Sequence, residues 1–337
     1  MSLYLPSGYL NAASLFNDPS PFVFMIGARG IGKTYGALKY VKDNSLRFVY
    51  LRMTDIEVKN LSGASFNVFK SINEDTGSEI QTRREKNVVR FVDESTPDKK
   101  TVGYMFALST LSNFRSFDLS DVDVIIFDEF IPEANKRPLR NMAETLFNAY
   151  ESINRNRELK GKPPIKLLGL ANSNNIFNDI FFYLRVTKRV YDMRKKGKER
   201  YEDRERGLTI FYSQGAPVSE AKKETALYQL TQGTGFQSVA IDNDFSFEDS
   251  RLISPKNLNG FKPVVNIGEL YIYNNSDNLY YITTYRQGVF KYTYEMVTTD
   301  ITSYLRTFYH VWAAYIDNRL SFEDIYCVEV FNLIYSL

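Results

Sequence analysis

With 337 residues the chain is long enough for two domains, each burying its own core. Its 42 Lys and Arg against 40 Asp and Glu leave a formal charge of +2, so no global basic field announces a nucleic-acid partner and any electrostatic footprint must be local. One cysteine, Cys327, and one histidine, His310, argue against disulfides and zinc-type metal centres; with no apolar run near the roughly 20 residues of a membrane span and no signal-peptide start, a soluble cytoplasmic protein is expected.

Four apolar residues, Phe22 to Met25, run into Gly27-Ala28-Arg29-Gly30-Ile31-Gly32-Lys33-Thr34, which fits G-x-x-x-x-G-K-[ST] at every required position and predicts a buried strand, a tight loop and a helix. The glycines let successive N–H groups point inward, and the positive end of the following helix completes an anion trap. Lys33 is then expected to reach the β- and γ-phosphates, and Thr34 to offer a hydroxyl to Mg²⁺. Residues 46–53 (LRFVYLRM) and 103–109 predict two more strands, apolar as buried parallel strands are, and the polar stretch 54–100 between them reads as an insert, a hairpin or a mobile segment. The run 122–130 (VDVIIFDEF) predicts a strand that delivers Asp128 and Glu129 to the end of the sheet where the phosphate loop also sits. Asp128 is expected to hold the magnesium through water, and Glu129 to align or deprotonate the attacking water.

Leu139, Met142, Leu146, Ala149, Tyr150 and Ile153 recur at helical spacing and predict one helix over 138–161, stopped by Gly161 and the Pro163-Pro164 pair. Arg155 and Arg157 at its far end are candidates for an arginine finger acting on a neighbouring subunit, with a plain surface role as the alternative. A fifth strand over 165–175 carries Asn172 at its tip, either a γ-phosphate sensor or a helix cap. Strands alternating with helices imply an α/β domain with a mostly parallel sheet.

The stretch 185–206 holds ten Lys or Arg and five Asp or Glu, and reads as a solvated connecting helix or a segment facing nucleic acid. Strands follow at QSVAIDNDF, ELYIYNN and LYYITTYR, with NNSDN as a hairpin turn, then helices over 298–316 and 321–335, an α+β pattern. The division expected is a P-loop ATPase domain at 1–184, a basic linker or lid at 185–230, and a second domain at 231–337, with net charges of +2, +5 and −5. The guanine-selecting N-K-x-D string is absent, its nearest form being Asn135-Lys136-Arg137-Pro138, so adenine is the default base.

GARGIGKT, FVYLR, IIFDEFI, the Arg155–Glu158 run and the LAN turn, in that order, resemble the DNA encapsidation ATPases of small podoviruses, relatives of terminase large subunits, over about residues 20–185 and more weakly beyond. The resemblance implies an ASCE-type P-loop NTPase followed by a smaller RNase H-like domain that has lost its cutting function. It implies ATP and Mg²⁺ as cofactors, double-stranded DNA and a capsid portal as partners, a homo-oligomeric ring of five or so copies, and work at the portal vertex in the host cytoplasm; it leaves a packaging RNA open. By position it makes Lys33, Thr34, Asp128 and Glu129 the phosphate, metal and catalytic residues, Arg155 the trans-acting finger and Asn172 the sensor. Arg52 and Arg115 fall where the family keeps basic residues facing the pore or the neighbouring nucleotide. A two-metal nuclease needs three or four converging carboxylates, and Asp242, Asp244, Glu248 and Asp249 are the local supply without a convincing partner downstream. The rival readings are a P-loop phosphotransferase, a helicase-like remodeller, or a nucleotide-gated capsid assembly protein that scarcely hydrolyses.

Overall fold

The computed structural model describes all residues except 1, 64–65, 86–87, 96, 115–116, 133–138, 140, 173–175, 214, 223, 232–251, 255–256 and 337. It divides into two units, one of residues 1–175 and 192–244, the other of residues 176–191 and 245–337.

In the first unit a short helix α1 (Ala12–Phe16) precedes strand β1 (Phe22–Ile26) and helix α2 (Lys33–Asp43). Then come β2 (Phe48–Arg52), α3 (Asp55–Leu61), α4 (Lys70–Thr76), the hairpin β3 (Ile80–Glu85) and β4 (Val88–Asp93), β5 (Lys100–Ala107), β6 (Val124–Asp128), α5 (Met142–Asn154) and β7 (Lys166–Ala171). After α6 (Asp179–Tyr183) and α7 (Thr187–Lys195) the chain adds β8 (Arg200–Asp203), β9 (Leu208–Tyr212), α8 (Pro217–Lys222) and α9 (Ala226–Leu230).

The nine strands form one sheet in the order β3-β4-β5-β2-β6-β7-β1-β9-β8. Its six central strands, β5 to β9 in that order, pair in parallel, and antiparallel strands close both edges. Every residue of β2, β6 and β9 is buried, as strands covered on both faces require. The register sets Asp128 beside Leu170 and Leu51 beside Phe127, so β2, β6 and β7 end together at one edge of the sheet, next to the loop that leaves β1. Within the insert 54–100 the described residues form two helices and the hairpin that was one of its expected forms, β3–β4, which extends the sheet by two strands.

Two expectations need correction here. Residues 185–230 are no separate linker, because LTIFY at 208–212 is a fully buried strand paired with β1, and β8 pairs with it in turn. The charge of 185–206 masked that run, and three of its six arginines are spent on ion pairs around β8, Arg200 on Asp18 and Glu202, Arg204 on Glu202 and Arg206 on Asp203. The long helix stops at Asn154, not 161, because Arg155 turns to φ 48° and ψ −134°. Gly161 instead ends a short 3₁₀ turn, Glu158–Lys160.

The second unit is α+β. Strands β10 (Lys262–Ile267), β11 (Leu270–Asn274), β12 (Tyr280–Thr283), β13 (Thr293–Tyr294) and β14 (Leu320–Phe322) form a mixed sheet in the order β13-β10-β11-β12-β14. The expected turn at 274–278 joins β11 to β12, with Asn275 Oδ1 accepting from the N–H groups of Asp277 and Leu279. The helix expected over 298–316 breaks at Phe308 into α10 (Thr298–Thr307) and α11 (Tyr309–Ile316). The one expected over 321–335 opens as β14 and becomes α12 only at Ile325–Ser336. The strand expected at QSVAIDNDF and the carboxylates Asp242, Asp244, Glu248 and Asp249 lie outside the described residues.

Candidate active site

The loop from Gly27 to Gly32 joins the buried end of β1 to the first turn of α2. Gly32 is the cap of that helix at φ 88°, a left-handed conformation that costs a residue with a Cβ and costs glycine nothing. Gly27 is small for another reason: a Cβ there would meet Ile31 Cδ1 and Ser213 Cβ, each at 2.9 Å. Lys33 is buried at the base of the loop, its Nζ donating to the carbonyls of Gly27 at 2.8 Å and Ala28 at 2.6 Å. Arg29 and Gly30 form the exposed tip and Ile31 is buried beneath it.

The paired acids arrive from β6. Thr34 Oγ1 donates toward both oxygens of Asp128, at 3.1 Å each, so the two magnesium-ligand candidates already stand side by side. The Tyr50 hydroxyl donates to Asp128 Oδ2 at 2.5 Å, and Arg52 Nη1 donates to the same oxygen at 3.2 Å. Arg52 Nη2 also donates to Glu129 Oε2, and Asn172 Nδ2 donates to Glu129 Oε1 at 3.3 Å, so both oxygens of Glu129 are engaged. Glu129 itself sits just past the strand at φ 55°, a left-handed position that turns its side chain out of the strand's alternation. A hydroxyl and a carboxylate in contact, beside a loop shaped for phosphates, are a donor set that suits Mg²⁺ with a nucleotide.

Charge explains why this cluster holds. Burial pulls the Arg52 pKa down, but the oxygens of Tyr50, Asp128, Glu129 and Glu57 outweigh it and keep the guanidinium above its ordinary range. Burial, reinforced by the Asp128 carboxylate, pushes the Tyr50 hydroxyl far up, so it remains a donor. Arg52 Nη2 reaches Glu57 Oε1 at 3.4 Å, and Glu57 is itself fixed by a capping box with Thr54 at the start of α3.

The structure therefore brings Thr34, Asp128, Glu129 and Asn172 together and adds two residues in a different role. Arg52, expected to face a pore or a neighbouring nucleotide, is instead a buried partner of the acids in its own chain. Tyr50 was not singled out by sequence; its signal was the alternation of β2, which puts residues 50 and 52 on one face beside β6. Arg115 lies outside the described residues.

Arg155 and Arg157 lie at the other edge of the sheet. The Asn154 side chain accepts from the N–H of Ile165, just before β7 begins, whereas Asp128 pairs with Leu170 near its end. That separation along the strand is on the order of 13 Å or more. Arg157 is held there, donating from Nη1 to the Val122 carbonyl at 2.6 Å and from Nε to that of Pro163 at 3.2 Å. Arg155 is exposed, its guanidinium donating to the carbonyls of Ser152 and Phe117 at 3.4 Å each.

A phosphate loop between a central parallel strand and a helix, facing a neighbouring strand that ends in Asp-Glu, defines a P-loop NTPase. Within that class the chain belongs to the podovirus DNA encapsidation protein (Gp16) family, whose profile matches residues 5–324. It is 25% identical over 342 residues to the DNA packaging protein of Bacillus phage phi29, covering 92% of this chain and 94% of that one. To the DNA packaging protein of Bacillus phage B103 it is 26% identical over 319 residues, covering 89% and 92%. Its fold is similar to a chain of the bacteriophage Phi-29 viral genome packaging motor assembly, with a TM-score of 0.64 at 20% identity over 99% of this chain and 98% of that one. A chain of the Phi-28 gp11 DNA packaging motor gives 0.62 at 20% identity over 97% and 96%.

Proposed function

We propose that this protein is an ATP-driven translocase that packages double-stranded viral DNA into a preformed capsid, as a homo-oligomeric ring, of five or so copies, at the portal vertex in the host cytoplasm. The observation that carries the reading is the Thr34–Asp128 contact with Glu129 held beside it, in a chain of the DNA encapsidation family. Lys33 and the loop N–H groups from Gly27 to Gly32 bind and orient the β- and γ-phosphates. Thr34 and Asp128 hold Mg²⁺, which when bound neutralises developing charge on the phosphate oxygens.

Glu129 positions the attacking water and takes its proton, but it must first leave Arg52. A charge-assisted hydrogen bond of that kind is a latch worth about 1.5–3 kcal/mol. Arg52 Nε is buried without a partner among the described residues, a cost that makes the latched arrangement easier to leave. Asn172, on the other oxygen of Glu129, is placed to follow that movement as a sensor. Arg155, too far from its own phosphate loop, serves the site of the neighbouring subunit, where it stabilises the charge of the transition state. Closing each subunit boundary around the γ-phosphate then does work on DNA, gripped through its phosphates because a packaging motor must ignore sequence.

The smaller unit we read as an RNase H-like module without cutting activity, since Asp242, Asp244, Glu248 and Asp249 find no partner at a convincing spacing among the carboxylates downstream. A packaging RNA would fit the same assembly. The deciding experiment measures ATP turnover of the purified full chain with and without double-stranded DNA at two salt concentrations. Stimulation that weakens steeply with salt is expected. Turnover indifferent to DNA would favour a phosphotransferase, and none at all a nucleotide-gated assembly protein.

A further inference from the structure

We infer that Tyr50 is a positioning residue for the metal: its hydroxyl holds Oδ2 of Asp128 so that Oδ1 faces the magnesium ion, whether Glu129 is latched or released. The inference rests on the P-loop reading above and deepens it, from the carboxylate that meets the ion to the group that aims it.

The two oxygens of Asp128 differ in what already occupies them. A carboxylate oxygen has about two lone-pair sites. Oδ2 is offered hydrogens by Tyr50 at 2.5 Å, by Thr34 at 3.1 Å and by Arg52 Nη1 at 3.2 Å, which leaves it no site for a metal-bound water. Oδ1 meets Thr34 alone among the described residues, also at 3.1 Å, and the single Thr34 proton serves one oxygen at a time. Oδ1 therefore keeps the capacity to accept, next to the hydroxyl that is the other candidate for the ion.

Tyr50 and Arg52 do not hold Oδ2 in the same way. Arg52 is shared, with Nη1 on Asp128 and Nη2 on both Glu129 and Glu57, so a shift that frees Glu129 also disturbs its grip on Asp128. Tyr50 is fixed by packing instead. It is buried, and its ring meets Phe91 of β4 edge-on with centroids 6.3 Å apart. Phe91 in turn stacks on Phe48 at 5.4 Å and meets Phe69, just before α4, edge-on at 5.3 Å. A close-packed tyrosine has few ways to turn, and a ring that cannot turn keeps its hydroxyl where it is. The edge hairpin and α4 thus brace the carboxylate from behind, independently of the latch. A group that orients a metal's carboxylate typically costs about 10–100-fold in metal affinity or activity when it is lost.

The test compares the purified full chain with Tyr50→Phe, which keeps the ring and removes the hydroxyl. Mn²⁺ binding to the ADP-bound chain is read from the electron paramagnetic resonance of the free ion, and metal-free binding from a fluorescent ADP analogue in excess EDTA. For Tyr50→Phe the expected result is an Mn²⁺ affinity about tenfold weaker, metal-free ADP affinity within about twofold of wild type, and a similar rise in the Mg²⁺ needed for half-maximal turnover. Arg52→Ala, with Tyr50 in place, should keep its Mn²⁺ affinity within about twofold. An Mn²⁺ affinity in Tyr50→Phe equal to or above that of wild type overturns the proposal. So does a loss of metal-free ADP binding in step with that of Mn²⁺, which would make Tyr50 a prop for the whole site. An equal Mn²⁺ loss in Arg52→Ala overturns the independence from the latch. If the ADP-bound wild type takes up no Mn²⁺, the P-loop reading falls and the proposal with it; uptake that Tyr50→Phe matches removes the role of Tyr50 alone.

Discussion

The end of β6 and the end of α5 both carry charged side chains, and they are built in opposite ways. At β6, Asp128 is buried and takes hydrogen bonds from Thr34, Tyr50 and Arg52, while Glu129 beside it is held by Arg52 and Asn172. At α5, Arg155 is exposed, hangs on two contacts of 3.4 Å, and keeps a backbone geometry that residues with a Cβ rarely adopt. Such a conformation costs on the order of 1–3 kcal/mol, which surrounding structure must impose. The contrast teaches a division of labour. On the function proposed above, the acids that serve the chain's own site are held in a hydrogen-bonded cluster from which Glu129 is released, and the arginine assigned to the next subunit stands exposed at the opposite end of the sheet.

The largest effect should come from the loose end. Arg155→Ala should lower turnover by about a thousandfold or more, the range for a trans-acting finger. Mixing it with Glu129→Gln should restore part of the rate, because one subunit supplies the finger and its neighbour an intact Glu129. No recovery in rings verified to contain both variants would place Arg155 outside the reaction and erase the contrast. Glu129→Gln alone should lower kcat by about 10²–10⁴ while the affinity for ATP stays as it was. Wild-type turnover in that variant would remove its role as base.

Arg52→Ala probes the latch and should have an intermediate effect. With Glu129 released in advance, basal turnover should rise by up to about tenfold and the stimulation by DNA should shrink toward unity. An unaltered ratio of stimulated to basal rate would mean that Arg52 is scaffolding for the acids and that nothing is switched.

How far the sequence carried this picture depends on how local each feature is. The phosphate loop is eight consecutive residues whose types have one job, and the Asp-Glu pair ends an apolar strand, so both were legible. Arg52 was picked out but given the wrong surroundings, since its partners lie 76 and 77 positions away and meet it only when β2 and β6 pair. The same holds for Tyr50, an ordinary strand residue until Asp128 lies beside it. β8 and β9 were not legible because a dense run of charge precedes a strand of only five residues, four of them apolar. The early end of α5 was hidden because Gly161 and two prolines offered a plausible stop seven residues too late, while the real stop is made by the turn of a single arginine.

The smallest effects test whether the difference between the two regions lies in their packing. Gly169 in β7 stands behind Asp128's strand, where an added Cβ would come within 2.4 Å of Phe24 Cδ1 and 3.2 Å of Phe130 Cδ1. Gly169→Ala should therefore destabilise the fold by about 1–3 kcal/mol through overpacking, read as a lower denaturant midpoint. Gly161, past the end of α5, has φ 70° and nothing within 4 Å of such a Cβ. There Gly161→Ala should cost roughly 1–2 kcal/mol from backbone handedness alone. The two sites separate with asparagine, which tolerates the left-handed region. Gly161→Asn should recover most of the loss, and Gly169→Asn, larger still against two phenyl rings, should be worse than alanine. Equal recovery at both positions would mean that the sheet behind the acids can give way as easily as the exposed turn, and the fixed geometry at β6 would need another cause.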